Sequence, residues 1–167
     1  TVVRFDAVAV QPWRNGGGVT RELLAWPQGG DWIARVSVAD IARDGPFSAF
    51  ANVERWFAVL SGAGVLLDEP ARVVQRDGEI LRFAGESAPA CRLIDGETRD
   101  LNLMVRRDVA AGWLRRLPLV EAPLQQNHAG SAATVLRGVF TVGGGQLIAR
   151  ADRLIQMEDG YITAFGI

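Results

Sequence analysis

Short apolar runs bounded by glycine, aspartate or proline recur along this chain, with turn signals roughly every 8–12 residues, the spacing of a β-sandwich or barrel. Residues 32–38 alternate, with Trp32, Ala34, Val36 and Val38 on one face and Ile33, Arg35 and Ser37 on the other. Further runs fall at 56–60, 64–67, 79–83, 91–94 and 101–107, then at 113–119, 134–142, 146–150, 154–157 and 161–165. No segment sustains helical periodicity over three turns; 39–43 and 108–117 are the best short helix candidates, and the second competes with a strand. Residues 55–94 and 134–165 share a loose pattern of strand, glycine turn, strand, acidic-Gly turn, strand. The fold class is therefore all-β. Closing into a barrel or jelly roll would remove the exposed edges that so many short strands create.

Composition narrows the function. At 167 residues the chain is long enough for one domain with a real core. A net charge of −1 gives no general pull toward nucleic acid or an anionic membrane. No apolar run approaches the ~20 residues of a membrane span. The first residues, TVVRFDAV, lack a basic-then-apolar secretory pattern, so a cytoplasmic location is expected. Cys91 and His128 are the sole cysteine and histidine. A Cys/His zinc site needs several such ligands, so neither a metal nor another cofactor is expected. His128 lies in the polar stretch QQNHAGSA, which reads as a solvated loop.

The stretch PWRNGGGVTREL, residues 12–23, joins three consecutive glycines to a polar run that reads as a strand. Asn15 precedes Gly16, Gly17 and Gly18, and Thr20, Arg21 and Glu22 follow, a combination that points to a binding loop. A Walker-type phosphate loop fails on composition, because all 18 basic residues are arginine. The spacing is not G-x-G-x-x-G either, which argues against a dinucleotide loop.

Three more segments carry polar residues that a simple core does not require. In DGPFS, Pro46 rigidifies a turn that delivers Phe47 and Ser48 to one spot. In ERW, Arg55 opens an apolar strand. In RDLNLMVRR, strand parity puts Asp100, Asn102, Met104 and Arg106 on one face and Leu101, Leu103, Val105 and Arg107 on the other. Together with the glycine loop they predict a polar pocket inside a barrel. Arginine suits such a pocket, because its planar fork grips a carboxylate through paired hydrogen bonds.

The motifs PW-x-NGGG-x-T-RE, DGPFS and DLN-x-M-x-RR, in consistent order through roughly residues 1–107, resemble the HutD/Ves family of cupin-like proteins. That family's pattern has Gly where Asn52 stands and Asp where Glu54 and Glu86 stand. Asn tolerates a left-handed backbone, so the turn at Asn52 can survive. The resemblance implies a cupin-like double-stranded β-helix or jelly roll of two barrel halves, a bicupin filling 1–167 as a single domain with halves near 1–107 and 108–167. It also implies an association with histidine utilisation, through binding a small acidic intermediate such as urocanate or formylglutamate.

The resulting expectation is a metal-free, non-enzymatic binding protein for a small carboxylate. Arg55 and Arg106 would clamp the anion; Asn15, Thr20, Ser48 and Asn102 would hydrogen-bond it; Phe47 and Met104 would wall it. Gly17 would let the backbone approach, and Glu22 and Asp100 belong to the same expected ligand-binding set. The rival is a metal-free isomerase or lyase with Glu22 or Asp100 as general base. A Glu22 buried among apolar groups favours catalysis; a Glu22 paired with arginine favours binding or structure. No nucleic-acid or membrane partner is expected, and a homodimer is left open.

Overall fold

The computed structural model describes residues 2–68, 71–117, 137–141, 146–150 and 162–166. The chain divides into two compact units, one of Val8–Ala111 and one of Thr1–Ala7 with Gly112–Ile167. The second unit contains one antiparallel sheet built from β1 (Val2–Arg4), β12 (Trp113–Leu117), β13 (Arg137–Thr141), β14 (Gln146–Arg150) and β15 (Ile162–Gly166), in the order β1-β14-β13-β15-β12. The first strand thus pairs with β14, putting Val3 opposite Leu147. His128 and the expected run at 154–157 lie outside the described residues, as does part of the second copy of the loose repeat.

The Val8–Ala111 unit is built from two antiparallel sheets. Six strands, β2 (Gln11–Pro12), β3 (Gly18–Trp26), β4 (Ala34–Ile41), β6 (Val53–Ser61), β9 (Leu81–Ala84) and β11 (Thr98–Arg106), form one in the order β2-β3-β4-β11-β6-β9. Four short strands, β5 (Gly45–Pro46), β7 (Val65–Asp68), β8 (Ala71–Val74) and β10 (Ala90–Leu93), form the other as β5-β10-β7-β8. The helix candidates at 39–43 and 108–117 do not form as helices: Ala39 and Ile41 belong to β4, and residues 113–117 are β12. β-Branched residues before Ala39 carry the strand through, and long-range pairing overrides weak local helix propensity.

Ile41, Phe57, Val59, Leu81 and Phe83 of the six-stranded sheet pack with Val65, Leu67, Val74 and Cys91 of the other, and Phe47 joins them. The two sheets therefore face each other across one apolar core, a cupin-like arrangement. Alternation decides what else points inward. On β4 the residues in phase with Ile41 are Arg35, Ser37 and Ala39; on β6 Val53, Arg55 and Val59 are in phase with Phe57. The barrel interior thus has an apolar end and a polar end made by the same strands. Leu101, Leu103 and Val105, on the opposite face of β11, are buried too, as are Ala34, Val36 and Val38 of β4.

Candidate functional site

A cavity of about 500 Å³ opens at the polar end of this interior. Its walls are Arg35, Ser37 and Ala39 of β4, Arg55 of β6, and Asp100, Asn102 and Met104 of β11. The register explains the grouping: Asn102 sits between Ser37 and Phe57, and Met104 between Arg35 and Arg55. The segment from Gln11 to Asn15, with Thr20, closes one side, and Pro46, Phe47, Ser48 and Phe50 close another.

The glycine loop is a tight turn that positions side chains at this cavity. Gly16 takes φ +68°, a left-handed backbone that glycine adopts without penalty. Gly18 lies so close to the next strand that a Cβ there would collide with the Asp40 carbonyl. Between them, the Gly17 N–H donates to Asn15 Oδ1 at 2.9 Å, and its carbonyl accepts from the N–H groups of Ala42 and Arg43 at 2.9 and 3.0 Å. The loop is thereby stapled to the end of β4. Gly17 does not line the cavity, so its expected direct role there is replaced by a structural one. Trp13 Nε1–H donates to Thr20 Oγ1 at 2.7 Å, which fixes the indole at the mouth.

Arg55 is the central cation, with only 4% of its surface exposed. Nη2 donates to Asn102 Oδ1 at 2.9 Å, and Nη1 donates to the Ser48 carbonyl at 3.3 Å. The rings of Phe47, Phe50 and Phe83 surround the guanidinium carbon at 5.1, 5.7 and 5.0 Å. Their electron-rich faces replace part of the lost water. Burial still lowers its pKa to about 10, against the opposing pull of Asp100. Nε has no hydrogen-bond partner among the described residues.

Asp100 is fully buried on the neighbouring strand. Asn102 Nδ2 donates to its Oδ1, while Oδ2 has no hydrogen-bond partner among the described residues. Burial holds this carboxyl well above the usual carboxylate range, although Arg55 and the Asn102 bond pull the other way. Buried polar atoms are ordinarily satisfied, each orphan costing on the order of 1–3 kcal/mol. Here one orphaned donor and one orphaned acceptor belong to side chains lining one cavity.

The other expected site residues divide. Asn15, Thr20, Phe47, Ser48, Arg55, Asp100, Asn102 and Met104 do line the cavity. Arg106 does not: at the end of β11 its Nη2 pairs with Asp108 Oδ2 at 2.7 Å. The strand stops there, so parity no longer carries its side chain inward. Glu22 also stays outside the lining and accepts from Arg35 Nε at 2.7 Å. That pairing removes the apolar environment a Glu22 general base would need. Glu86 accepts from the Asn52 N–H at 2.6 Å and from Arg107 Nη2 at 2.5 Å, while Asn52 takes φ +60°. Glu54 pairs with Arg82 at 3.2 Å. The two longer acids thus hold a turn and a strand edge.

Arg35, Trp13 and Ser37 line the cavity although sequence reasoning does not single them out as site residues. For Arg35 and Ser37 a signal is present in the alternation of 32–38, whose polar face meets the cavity as that of β11 does. Among the described residues no cluster of three or more His, Cys, Asp or Glu could hold a metal ion. Cys91 is buried, and burial together with nearby Asp100 and Asp44 pushes its thiol up to about 12, which makes it inert at neutral pH.

Two antiparallel sheets closed over an apolar core, with an arginine-bearing polar cavity at one end, define a cupin-like domain. The HutD family model matches residues 6–162, and the chain belongs to the HutD family. It is 39% identical over 100 residues to an uncharacterized 21.2 kDa protein of the hutC 3′ region from Pseudomonas putida, covering 56% of this chain and 51% of that one. It is 39% identical over 103 residues to protein Ves of Citrobacter koseri, covering 59% and 54%. These alignments span about half the length of the curated relatives. Among solved structures, HutD from Pseudomonas fluorescens SBW25 superposes with a TM-score of 0.80 at 26% identity, covering 99% of this chain and 96% of that one. A conserved protein of unknown function from Pseudomonas aeruginosa PAO1 gives 0.74 at 24% identity, covering 99% and 96%, and shares the fold.

Proposed function

We propose that the cavity is a binding site for a small carboxylate, and that the protein is a metal-free, non-enzymatic cytoplasmic bicupin that modulates histidine utilisation. The observation that carries this reading is Arg55: a buried cation with Nε unpartnered among the described residues, held by Asn102 and aromatic rings in a cavity of small-molecule size. Arg35 replaces Arg106 as the second cation of the clamp. Its Nε is held by Glu22, and its side chain lines the same cavity. Family membership favours urocanate or formylglutamate as the ligand, since each offers a carboxylate on a short skeleton. Calorimetric titration of both into the wild-type protein tests the reading, with saturable one-site binding expected. If neither they nor glutarate binds, the reading is overturned.

A second reading has one observation in its favour. A buried carboxyl held above its usual range, as at Asp100, is the form a general base takes in a metal-free isomerase or lyase. Deuterium incorporation from D2O into a C–H position of the bound carboxylate, abolished in Asp100→Asn, would establish it. A ligand recovered without deuterium would exclude it.

A further inference from the structure

The hydrogen bonds around Asp100 fix which of its oxygens can carry a proton. Arg55 can only donate, so the Asn102 side chain must turn its oxygen toward Arg55 and its amide nitrogen toward Asp100. Asp100 Oδ1 therefore accepts. A proton on this carboxyl belongs on Oδ2, the buried atom left without a partner among the described residues. An anion drawn to Arg55 would share the cavity with Asp100, and two carboxylates in one site cannot both stay ionised without a heavy cost.

We propose that Asp100 meets a carboxylate ligand as a neutral acid, its Oδ2–H donating to the carboxylate that Arg55 holds, with a shift of these two closed-off side chains opening them to the cavity as the ligand enters. This rests on the carboxylate reading of the cavity and adds its protonation chemistry. An ionised Asp100 takes one proton from solvent as the ligand binds, and returns it on release.

Several charged groups share these surroundings. Arg55 faces Asp100 from β6 and favours its ionised form, whereas Asp40 from β4 favours the neutral one. Asp40 is itself held by Arg21 of β3 and Arg99 of β11. Arg35 of β4 lines the cavity but is paired with Glu22 of β3. Arg14 lines the cavity from the loop side. From the four-stranded sheet, Cys91 stays neutral, with Asp44 nearby. Burial, acting with Asp40, outweighs Arg55.

Asp100→Asn is the diagnostic variant. A carboxamide copies a neutral carboxyl: its oxygen keeps the Asn102 bond, and its N–H stands in for the acid O–H. Dissociation constants for formylglutamate, urocanate and glutarate would be measured from pH 5 to 9 in wild type, Asp100→Asn and Asp100→Ala. The wild-type-to-Asn affinity ratio should fall with pH, approaching about tenfold per unit once free Asp100 ionises. The Asn variant should bind within about threefold of wild type at pH 5, and the Ala variant should lose about tenfold. In wild type alone, binding enthalpies in buffers of different ionisation enthalpy should show proton uptake where affinity is falling, which keeps the test open if a variant fails to fold. A flat ratio near one without proton uptake shows an Asp100 that is neutral throughout this range and supports the proposal as well, whereas a rising ratio, a falling ratio without proton uptake, or a tenfold loss in the Asn variant at pH 5 overturns it and leaves carboxylate binding standing. If none of the three compounds binds wild type, the carboxylate reading falls and takes this proposal with it.

Discussion

Arg55 and Asn102, 47 residues apart in sequence, are joined by a buried 2.9 Å hydrogen bond between adjacent strands. The same Asn102 side chain donates to Asp100, so one neutral amide orients the cation and the acid of the cavity together. Replacing it with a group that can do neither leaves the Asp100 carboxyl without a hydrogen bond among the described residues and Arg55 with only its bond to the Ser48 carbonyl. Asn102→Leu should therefore lower unfolding stability by roughly 2 kcal/mol or more. Urea denaturation measures this, and a loss below about 0.5 kcal/mol would show that neither bond matters to the fold.

The loop glycines should differ in a defined order. At Gly18 an added Cβ meets the Asp40 backbone carbonyl, which cannot swing away. At Gly17 it meets only the Asn15 side chain, at 3.2 Å. Gly18→Ala should cost on the order of 1–3 kcal/mol, a Tm drop of several degrees, and Gly17→Ala clearly less. Thermal melts of the two variants side by side decide it, and a reversed order would refute the packing argument.

Asp100 also makes stability depend on pH. Its folded-state value lies above the 3.8 of an ordinary aspartate, chiefly through burial. The folded state therefore keeps a proton that the unfolded chain has already lost. This contribution is fully present below pH 3.8 and is lost as pH rises through the folded-state value. Asp100→Asn should consequently gain stability relative to wild type as pH rises from about 4 toward neutrality, checked by denaturant unfolding across that range. A difference that stays constant would mean that Asp100 does not hold its proton in the fold.

Much of this site is legible in the sequence, because a strand's alternation fixes its faces. The polar face of 100–104 and the DGPFS turn read as parts of one pocket, and the structure joins them there. Parity fails at Arg106 because β11 ends at that residue and Asp108, two positions on, offers a local partner. Arg35 escapes a sequence reading although the same alternation displays it, since one strand's polar face does not reveal whether it meets a cavity or water. Which glycine bears the strain depends on the neighbouring strand's approach, and that is a tertiary fact. So is the pairing of β1 with β14, which joins residues 2–4 to 146–148.

The most direct test of the account compares Arg55→Lys with Arg106→Lys. Arg55 is buried in the cavity wall with Nε unpartnered among the described residues, and an ammonium cannot reproduce its fork. Arg106 pairs with Asp108 away from the cavity lining. Calorimetry with formylglutamate or urocanate should show about a ten- to hundred-fold loss of affinity in Arg55→Lys, and a change within about twofold in Arg106→Lys. Equal losses in the two variants, or a loss confined to Arg106→Lys, would contradict the assignment of Arg55 as the anion clamp.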